Sequence, residues 1–396
     1  MSTAVTDSVT QGQAPAFDLV IAGGGPAGLA CAIAARQAGL TALVLERAGD
    51  LPDKACGEGL MPHGLRALEA LGVRARLGGD ACAPFKGIRY VLDGGGTVEG
   101  RFQRGDGLGV RRLALSAALS AEARARGVEL RRSALQGFRE HAGGVSIETD
   151  HGPVEGRLLV GADGLQSKVR RLAGLERAAA GPRRYGVRRH FRCAPWTDLV
   201  EVHWGRGVEC YITPIGPAEV NVAFLWDDGL RGSQPAPRDG EIPDKPGFDA
   251  LLASFPAVAV RLGRAEASSE SRGSGPLLRP VSARAKGRVA LIGDAAGYVD
   301  AITGQGLSLA LGSARALIAA LKQTGSGSAA TALANPALLS QALQRYHSGQ
   351  RGPWLRYALP ARALLWLAGR PAFRRALMPL VARSPRLFTA LLRAVG

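Results

Sequence analysis

Hydrophobic residues in this chain gather in short, nearly unbroken runs that end in glycine. Phe17-Asp18-Leu19-Val20-Ile21-Ala22 runs into Gly23-Gly24-Gly25-Pro26-Ala27-Gly28. Leu158-Leu159-Val160-Gly161-Ala162 runs into Asp163-Gly164, and Val289-Ala290-Leu291-Ile292 runs into Gly293-Asp294-Ala295-Ala296-Gly297. Apolar residues on successive positions predict strands buried on both faces, as in a parallel sheet covered by other elements. An alanine-rich stretch from Pro26 to about Ala38 predicts a helix, and Ala42-Leu43-Val44-Leu45 predicts a second strand that ends at Glu46. Residues 112–126 have amphipathic helical spacing, and a further apolar helix starts at Leu307. Between 200 and 224 the period drops to two. Val200-Glu201-Val202-His203-Trp204, Val208-Glu209-Cys210-Tyr211-Ile212-Thr213 and Glu219-Val220-Asn221-Val222-Ala223-Phe224 alternate as antiparallel strands do. In residues 346–396, Leu364, Trp366, Phe373, Leu377 and Leu387 recur with helical spacing. Arg362, Arg370, Arg374, Arg375, Arg383, Arg386 and Arg393 fill the opposite positions, and Pro371, Pro379 and Pro385 are expected to break the helices.

The first run has a chemical reading. Strand, glycine-rich turn, helix, strand and acid is the context of a dinucleotide fingerprint. Gly23 permits a tight turn, Gly25 lets the backbone approach a pyrophosphate, and Gly28 lets helix and strand pack closely. The helix N-terminus offers free N–H groups and partial positive charge to phosphate. Glu46 lies about 20 residues on, where an acid accepts ribose hydroxyls. This motif alone does not separate FAD from NAD.

The later runs do. With Asp163-Gly164 followed by Ser167 and Arg170, and Gly293–Gly297 followed by Thr303-Gly304-Gln305-Gly306, the chain resembles the FAD-dependent monooxygenase and geranylgeranyl reductase superfamily, built like para-hydroxybenzoate hydroxylase. The resemblance spans roughly residues 17 to 345. It implies an α/β fold: a Rossmann-like FAD-binding domain with an inserted antiparallel substrate sheet and C-terminal helices. It also implies roles. Gly23, Gly25, Pro26, Ala27 and Gly28 would cradle the pyrophosphate, Glu46 would bind the adenosine ribose, and Arg47 would lie over the adenine. Arg112 would reach the phosphate side, Leu135 would meet the adenine through its backbone, and Asp163 and Gly164 would support the fold between the FAD and nicotinamide routes. Asp294 would bind the ribityl chain. Gly304, Gln305, Gly306 and Leu307 would set backbone N–H groups at the flavin N1–O2 edge, where a helix N-terminus stabilises reduced flavin. Many relatives carry proline between the Gly-Asp turn and this loop, where this chain has Ala301.

Subgroup clues follow. Lys54-Ala55-Cys56-Gly57-Glu58-Gly59-Leu60 looks like the geranylgeranyl reductase branch, in which the cysteine lies near the flavin ring; Cys56 is otherwise a small buried filler. Tyr211 and Pro214 occupy the place where reductases often show an aromatic-x-Trp-x-Phe-Pro pattern and are expected to face the flavin or the substrate, Tyr211 as a catalytic candidate, but the tryptophan is missing. The Trp-x-Trp-x-Ile-Pro signature of flavin halogenases is also absent, which argues against halogenation. His190 is read as a pocket acid-base group or a structural strand histidine, and Arg189 as an anion site or a surface residue. The resemblance implies a monooxygenase using NAD(P)H and dioxygen, through a C4a-hydroperoxyflavin, on an apolar aromatic, polyketide or prenylated natural product. A flavin-dependent reductase of isoprenoid double bonds is the alternative, and a non-catalytic lipid-binding flavoprotein a second. NAD(P)H would bind transiently.

Composition adds limits. The 396 residues are 46% hydrophobic, enough for a sizeable core. No run approaches the ~20 apolar residues of a membrane helix, and residues 1–16 read as a disordered tail. Five cysteines form no CxxC pair and six histidines no ligand cluster, so reduced thiols, a cytoplasmic protein and no metal are expected. The net charge of +17 is spread along the chain with aromatics at 5%, which argues against a nucleic-acid partner. The expected organisation is a FAD domain (17–80, 108–182, 276–345), a substrate domain (81–107, 183–275) with a loop at 232–247, a Gly/Ser/Ala link at 325–336 and amphipathic helices at 346–396. Residues 353–396 either pack on the body or touch a membrane.

Overall fold

A computed structural model of the chain describes residues 16–49, 53–92, 96–228, 246–324 and 327–382. The expected tail at 1–15, the loop residues 232–245 and the positions after 382 lie outside these.

The glycine-terminated runs form the parallel heart of an eight-stranded sheet. Phe17–Ala22 pairs in parallel with Ala42–Glu46 on one side and Val154–Gly161 on the other. Glu129–Arg132 extends the first edge and Val289–Leu291 the second, both in parallel. Alternation along the first strand sends Leu19 and Ile21 to one face and Val20 and Ala22 to the other. The Leu19 face carries the helices Pro26–Gln37, Arg112–Ala125, Gly306–Lys322 and Pro336–Gly349. The Val20 face is covered by the antiparallel strands Leu135–His141 and Gly144–Thr149, through Val145 and Ile147. Both faces are therefore dry, which is why the sequence shows unbroken apolar runs here.

The period-two segment forms a seven-stranded sheet in the order Arg272–Ser274, Arg184–Phe191, Glu219–Asp227, Val208–Gly216, Val200–Trp204, Gly87–Val91, Thr97–Arg101. All its pairings are antiparallel except Val200–Trp204 with Gly87–Val91. Alternation here does not mean one wet face. Cys210, Ile212, Val222 and Phe224 pack under the short helices Phe248–Ala253 and Pro256–Leu262. Tyr211, Ala223 and Leu225 share the opposite cluster with Tyr357, Ala361 and Leu367 of the C-terminal helix Arg351–Ala368. A three-stranded sheet of Gly59–Leu60, Gly107–Val110 and Cys82–Phe85 joins the two large sheets.

The C-terminal region departs from expectation in detail. Pro371 marks the break between the helices Arg351–Ala368 and Pro371–Ala382 and opens the second, but Pro379 lies within that helix. Arg374, expected on the polar face, is buried with its guanidinium over the Trp204 ring at 5.0 Å. Proline fits a first helical turn because the N–H it lacks has no partner there anyway. The Gly/Ser/Ala segment contains its own helix, Ala329–Ala334, capped by Ser328. No described helix is long and apolar enough to cross a membrane.

Candidate active site

The glycine turn is closed too tightly for any other residue. A Cβ on Gly28 would sit 1.9 Å from the Gly23 carbonyl oxygen. Gly25 stands at the N-terminus of Pro26–Gln37 with no side-chain cap, so the first N–H groups face outward. Pro26 occupies the first helical position, and Ala27 is buried behind it. The carboxylate of Glu46 accepts from Gly24 N–H at 2.8 Å and from Ala48 N–H at 3.0 Å. Arg112 comes from the helix Arg112–Ala125, and its Nη2 lies 3.5 Å from the point a Gly25 Cβ would occupy. The Arg112 Nε is buried without a partner. A guanidinium and a bare helix N-terminus facing one hollow form an anion cradle.

The Gly-Asp turn supplies the next part. Burial raises the Asp294 carboxyl above the usual range, against the pull of Arg112, Lys54 and Arg170. Burial lowers the Lys54 ammonium, while Glu46 and Asp294 raise it and Arg112 and Arg47 lower it further. Arg47 itself is exposed. Arg170 is fully buried and donates to the carbonyls of Ala295 (3.3 Å) and Leu165 (2.7 Å), locking this turn to the Asp163 turn. Gln305 stands at the N-cap position of the helix Gly306–Lys322 without a side-chain capping bond. Gln305 Nε2 and Thr303 Oγ1 are buried without partners, while Leu307 is packed in the core. An open anion cradle, an orphaned guanidinium nitrogen and two orphaned polar atoms at a helix start fit a cofactor with phosphates at one end and a polar ring edge at the other. FAD has that chemistry.

The Cys56 loop is pinned from the seven-stranded sheet. Thr213 Oγ1 donates to Gly57 O at 2.9 Å and Asn221 Nδ2 to Cys56 O at 2.9 Å; the two residues are cross-strand partners. Cys56 Sγ accepts from Glu58 N–H at 3.3 Å. Burial is the largest influence on the thiol and raises its pKa; Arg112 opposes, and Glu58 and Asp294 add to the rise. Glu58 is the one positive-φ non-glycine residue among those described, at 58°. Its Oε1 accepts from Arg112 N–H at 2.7 Å, and its Oε2 lies 2.7 Å from His190 Nε2. Both side chains are buried, and His190 Nδ1 continues to Ser269 Oγ at 2.8 Å. Neighbouring Arg188 donates to Asp53 and, at 3.1 Å, to Ser269.

Other predicted residues take different places. Arg189 points to the opposite side of its strand from His190. It donates to Ser271 (2.9 Å) and Asp249 (2.8 Å) and lies over Phe248 at 4.4 Å, so it is no pocket anion site. His190 is committed to Glu58 and Ser269 and positions the Cys56 loop. Asp163 is saturated by Ser167 Oγ and the N–H groups of Lys168 and Val169, so with Gly164 it builds a turn. The Pro214 carbonyl packs on Gly109, at 1.6 Å from where a Cβ would stand. Tyr211 O–H donates to Ile302 O at 3.4 Å, and burial holds its pKa well above 10. Leu135 starts its strand two residues past Ser133, whose N–H bonds to Glu46 O. Sequence reasoning quoted Glu58 in the Cys56 segment without giving it a role, and it missed Thr213 and Asn221, since nothing local marks strand residues that grip a distant loop. It also missed Tyr357, whose hydroxyl bonds Val299 N (3.0 Å), Asp300 N (2.9 Å) and Asp300 O (2.8 Å).

Residues 16–214 match the FAD binding domain family. The chain is similar to digeranylgeranylglycerophospholipid reductase 1 of Methanopyrus kandleri, with 30% identity over 74% of this chain and 77% of that protein. It is also similar to 6-methylpretetramide 4-monooxygenase of Streptomyces rimosus, with 31% identity over 40% of this chain and 41% of that protein. Among solved structures, a flavin-dependent brominase superposes with a TM-score of 0.75 and 18% identity over 96% of this chain and 93% of that one. At that identity the likeness concerns the fold.

Proposed function

The chain belongs to the FAD binding domain family and is a FAD-dependent oxidoreductase; from that premise we propose that it is a monooxygenase, reduced by NAD(P)H, acting on an apolar aromatic, polyketide or prenylated substrate. Residues 23–28, Glu46, Arg112, Asp294 and the turn at 304–306 would hold the FAD. Bound there, the flavin supplies two-electron transfer and the activation of dioxygen.

The observation that carries this reading is the apolar closure over the 304–306 turn. Met61, Tyr211, Val299 and Ile302 form one buried cluster there, with Tyr298 packed against it. Burial keeps the phenols of Tyr211 and Tyr298 protonated far above neutral pH. These residues exclude water, and the charges beside them are paired off in the buried Arg184–Asp300 and Arg184–Glu209 ion pairs, which suits an apolar substrate and an oxygen-transfer reaction that water would quench. The positive end of the helix Gly306–Lys322 stabilises negative charge gathered at its N-terminus. The Streptomyces relative named a monooxygenase supports the same reading. The test is anaerobic reduction with NADPH followed by rapid mixing with oxygenated buffer. A transient absorbing species, distinct from both oxidised and reduced protein, is the expected result. A single-step return to the oxidised spectrum, with or without alkylated phenols present, would overturn it.

A second reading, reduction of isoprenoid double bonds, is favoured by Cys56. Its raised pKa keeps the thiol proton on at neutral pH, so Cys56 could deliver a proton to a carbon centre. The Methanopyrus relative carries a reductase name. On this reading Cys56→Ala abolishes reduction of a geranylgeranyl lipid and leaves NADPH-driven flavin reduction intact. Unimpaired alkene reduction by the variant would exclude the thiol as the acid.

A further inference from the structure

We propose that the outward face of the C-terminal helix Arg351–Ala368 docks on a bilayer surface bearing anionic headgroups. The proposal does not depend on which oxidoreduction the site performs.

The helix has two faces with different tasks. Its inner face is spent within the molecule. Tyr357, Ala358 and Ala361 are buried, Tyr357 holds the segment before the 304–306 turn, and Trp354 packs edge-on against Tyr357 at 5.4 Å. Its outer positions 351, 355, 359, 362 and 366 follow the three-to-four spacing of one helical stripe and read Arg, Leu, Leu, Arg, Trp, with Arg370 just past the helix end in the same line. Leu355 is 52% exposed, Leu359 59% and Trp366 47%, which is unusual for so much apolar surface in one line. Phe373, 47% exposed at the start of the next helix, prolongs the stripe by packing on Trp366 at 5.0 Å. Arg370 lies over the Trp366 ring at 4.3 Å.

Charge names the occupant. Residues 301–396 contain eleven arginines and one lysine but no aspartate or glutamate. A second copy of the same stripe would set arginine against arginine. A partner that accepts leucine and tryptophan while neutralising arginines is a lipid interface, where aromatic rings sit at headgroup depth and long cationic side chains reach upward. No described helix can span the bilayer, so the contact is peripheral.

The test uses the full FAD-loaded protein and vesicles of phosphatidylcholine with or without phosphatidylglycerol. The expected result is co-sedimentation with the anionic vesicles and little with the neutral ones. Raising the salt from about 0.1 M to about 1 M, which shortens the Debye length from roughly 10 to 3 Å, should release the protein. The exposed-charge variant Arg351→Gln/Arg362→Gln/Arg370→Gln should lower partitioning at least tenfold, given about fivefold per arginine near an anionic surface. Leu355→Ser/Leu359→Ser/Trp366→Ser should do the same without altering the bound-flavin spectrum. Equal partitioning to both vesicle types, no binding to either, or wild-type binding by both variants would each overturn the proposal. So would a lipid-free dimer on gel filtration that both variants dissociate.

Discussion

Glu58 combines features that rarely coincide in a carboxylate: positive φ, near-complete burial, and bonds to both Arg112 N–H and His190. A non-glycine residue at such φ carries strain that the surroundings must hold in place. His190→Phe removes one partner from a buried carboxylate and should destabilise the protein by about 2–4 kcal/mol in urea denaturation. The same variant should lose FAD more readily on gel filtration, because Glu58 also orders the backbone of Arg112; unchanged flavin retention would reduce His190 to a packing residue. Gly28→Ala should yield colourless or insoluble protein, since its Cβ would collide with backbone rather than with a flexible side chain. Glu201 is the clearest pH probe. Burial alone would raise its pKa, but bonds from His203, Trp196 and Arg89 win and hold it at about 2. A depressed folded-state pKa contributes stability above the ordinary value of 4.5, lost as pH falls toward 2. Glu201→Gln should flatten the fall in denaturation midpoint between pH 5 and pH 3.

At the scale of elements, the functional geometry lies in the joints between them. Three joints tie separate elements together: Thr213 and Asn221 to the Cys56 loop, the Pro214 carbonyl to Gly109 of the small sheet, and Tyr357 of the C-terminal helix to Val299–Asp300. Gly109→Ala would press a methyl into the Pro214 carbonyl and part the small sheet from the large one, so both thermal stability and flavin content should drop. Tyr357→Phe deletes a hydroxyl that serves two buried N–H donors and one carbonyl. Leaving those donors without a partner should cost about 1–3 kcal/mol and loosen the turn that precedes Gly304. A differential scanning comparison of FAD-loaded and FAD-free forms would separate the two effects. A loss of stability confined to the loaded form would assign Tyr357 to the cofactor loop.

Across the whole molecule, the candidate FAD contacts are gathered from residues 23–28, 46, 112, 294 and 303–306, stretches that meet only when the parallel sheet closes. The orphaned atoms of Arg112, Thr303 and Gln305 show polar capacity that the protein alone leaves unused. FAD binding should therefore raise the stability of the entire domain cooperatively. At a hundredfold excess over Kd the gain is about 2.7 kcal/mol, readable as a single shifted melting transition. Two separate transitions would mean that the cofactor supports only one sheet.

The sequence by itself determined the parallel sheet, the period-two sheet and the three glycine turns, while the choice of FAD came from the family resemblance those turns carry. These depend on residues near one another in the chain: apolar spacing sets which faces are buried, and glycine sets where backbone must approach backbone. The bounds of Phe17–Ala22, Ala42–Glu46 and Val200–Trp204 were legible for that reason. The partners of Glu58, the grip of Thr213 and Asn221, the outward turn of Arg189 and the reach of Tyr357 were decided only by tertiary structure. Each spans from about fifty to more than a hundred and fifty residues of chain, and no local spacing encodes which strand end will lie beside which loop. Residue 379 makes the same point from the other side: proline argues locally for a helix break, yet the helix Pro371–Ala382 runs through it.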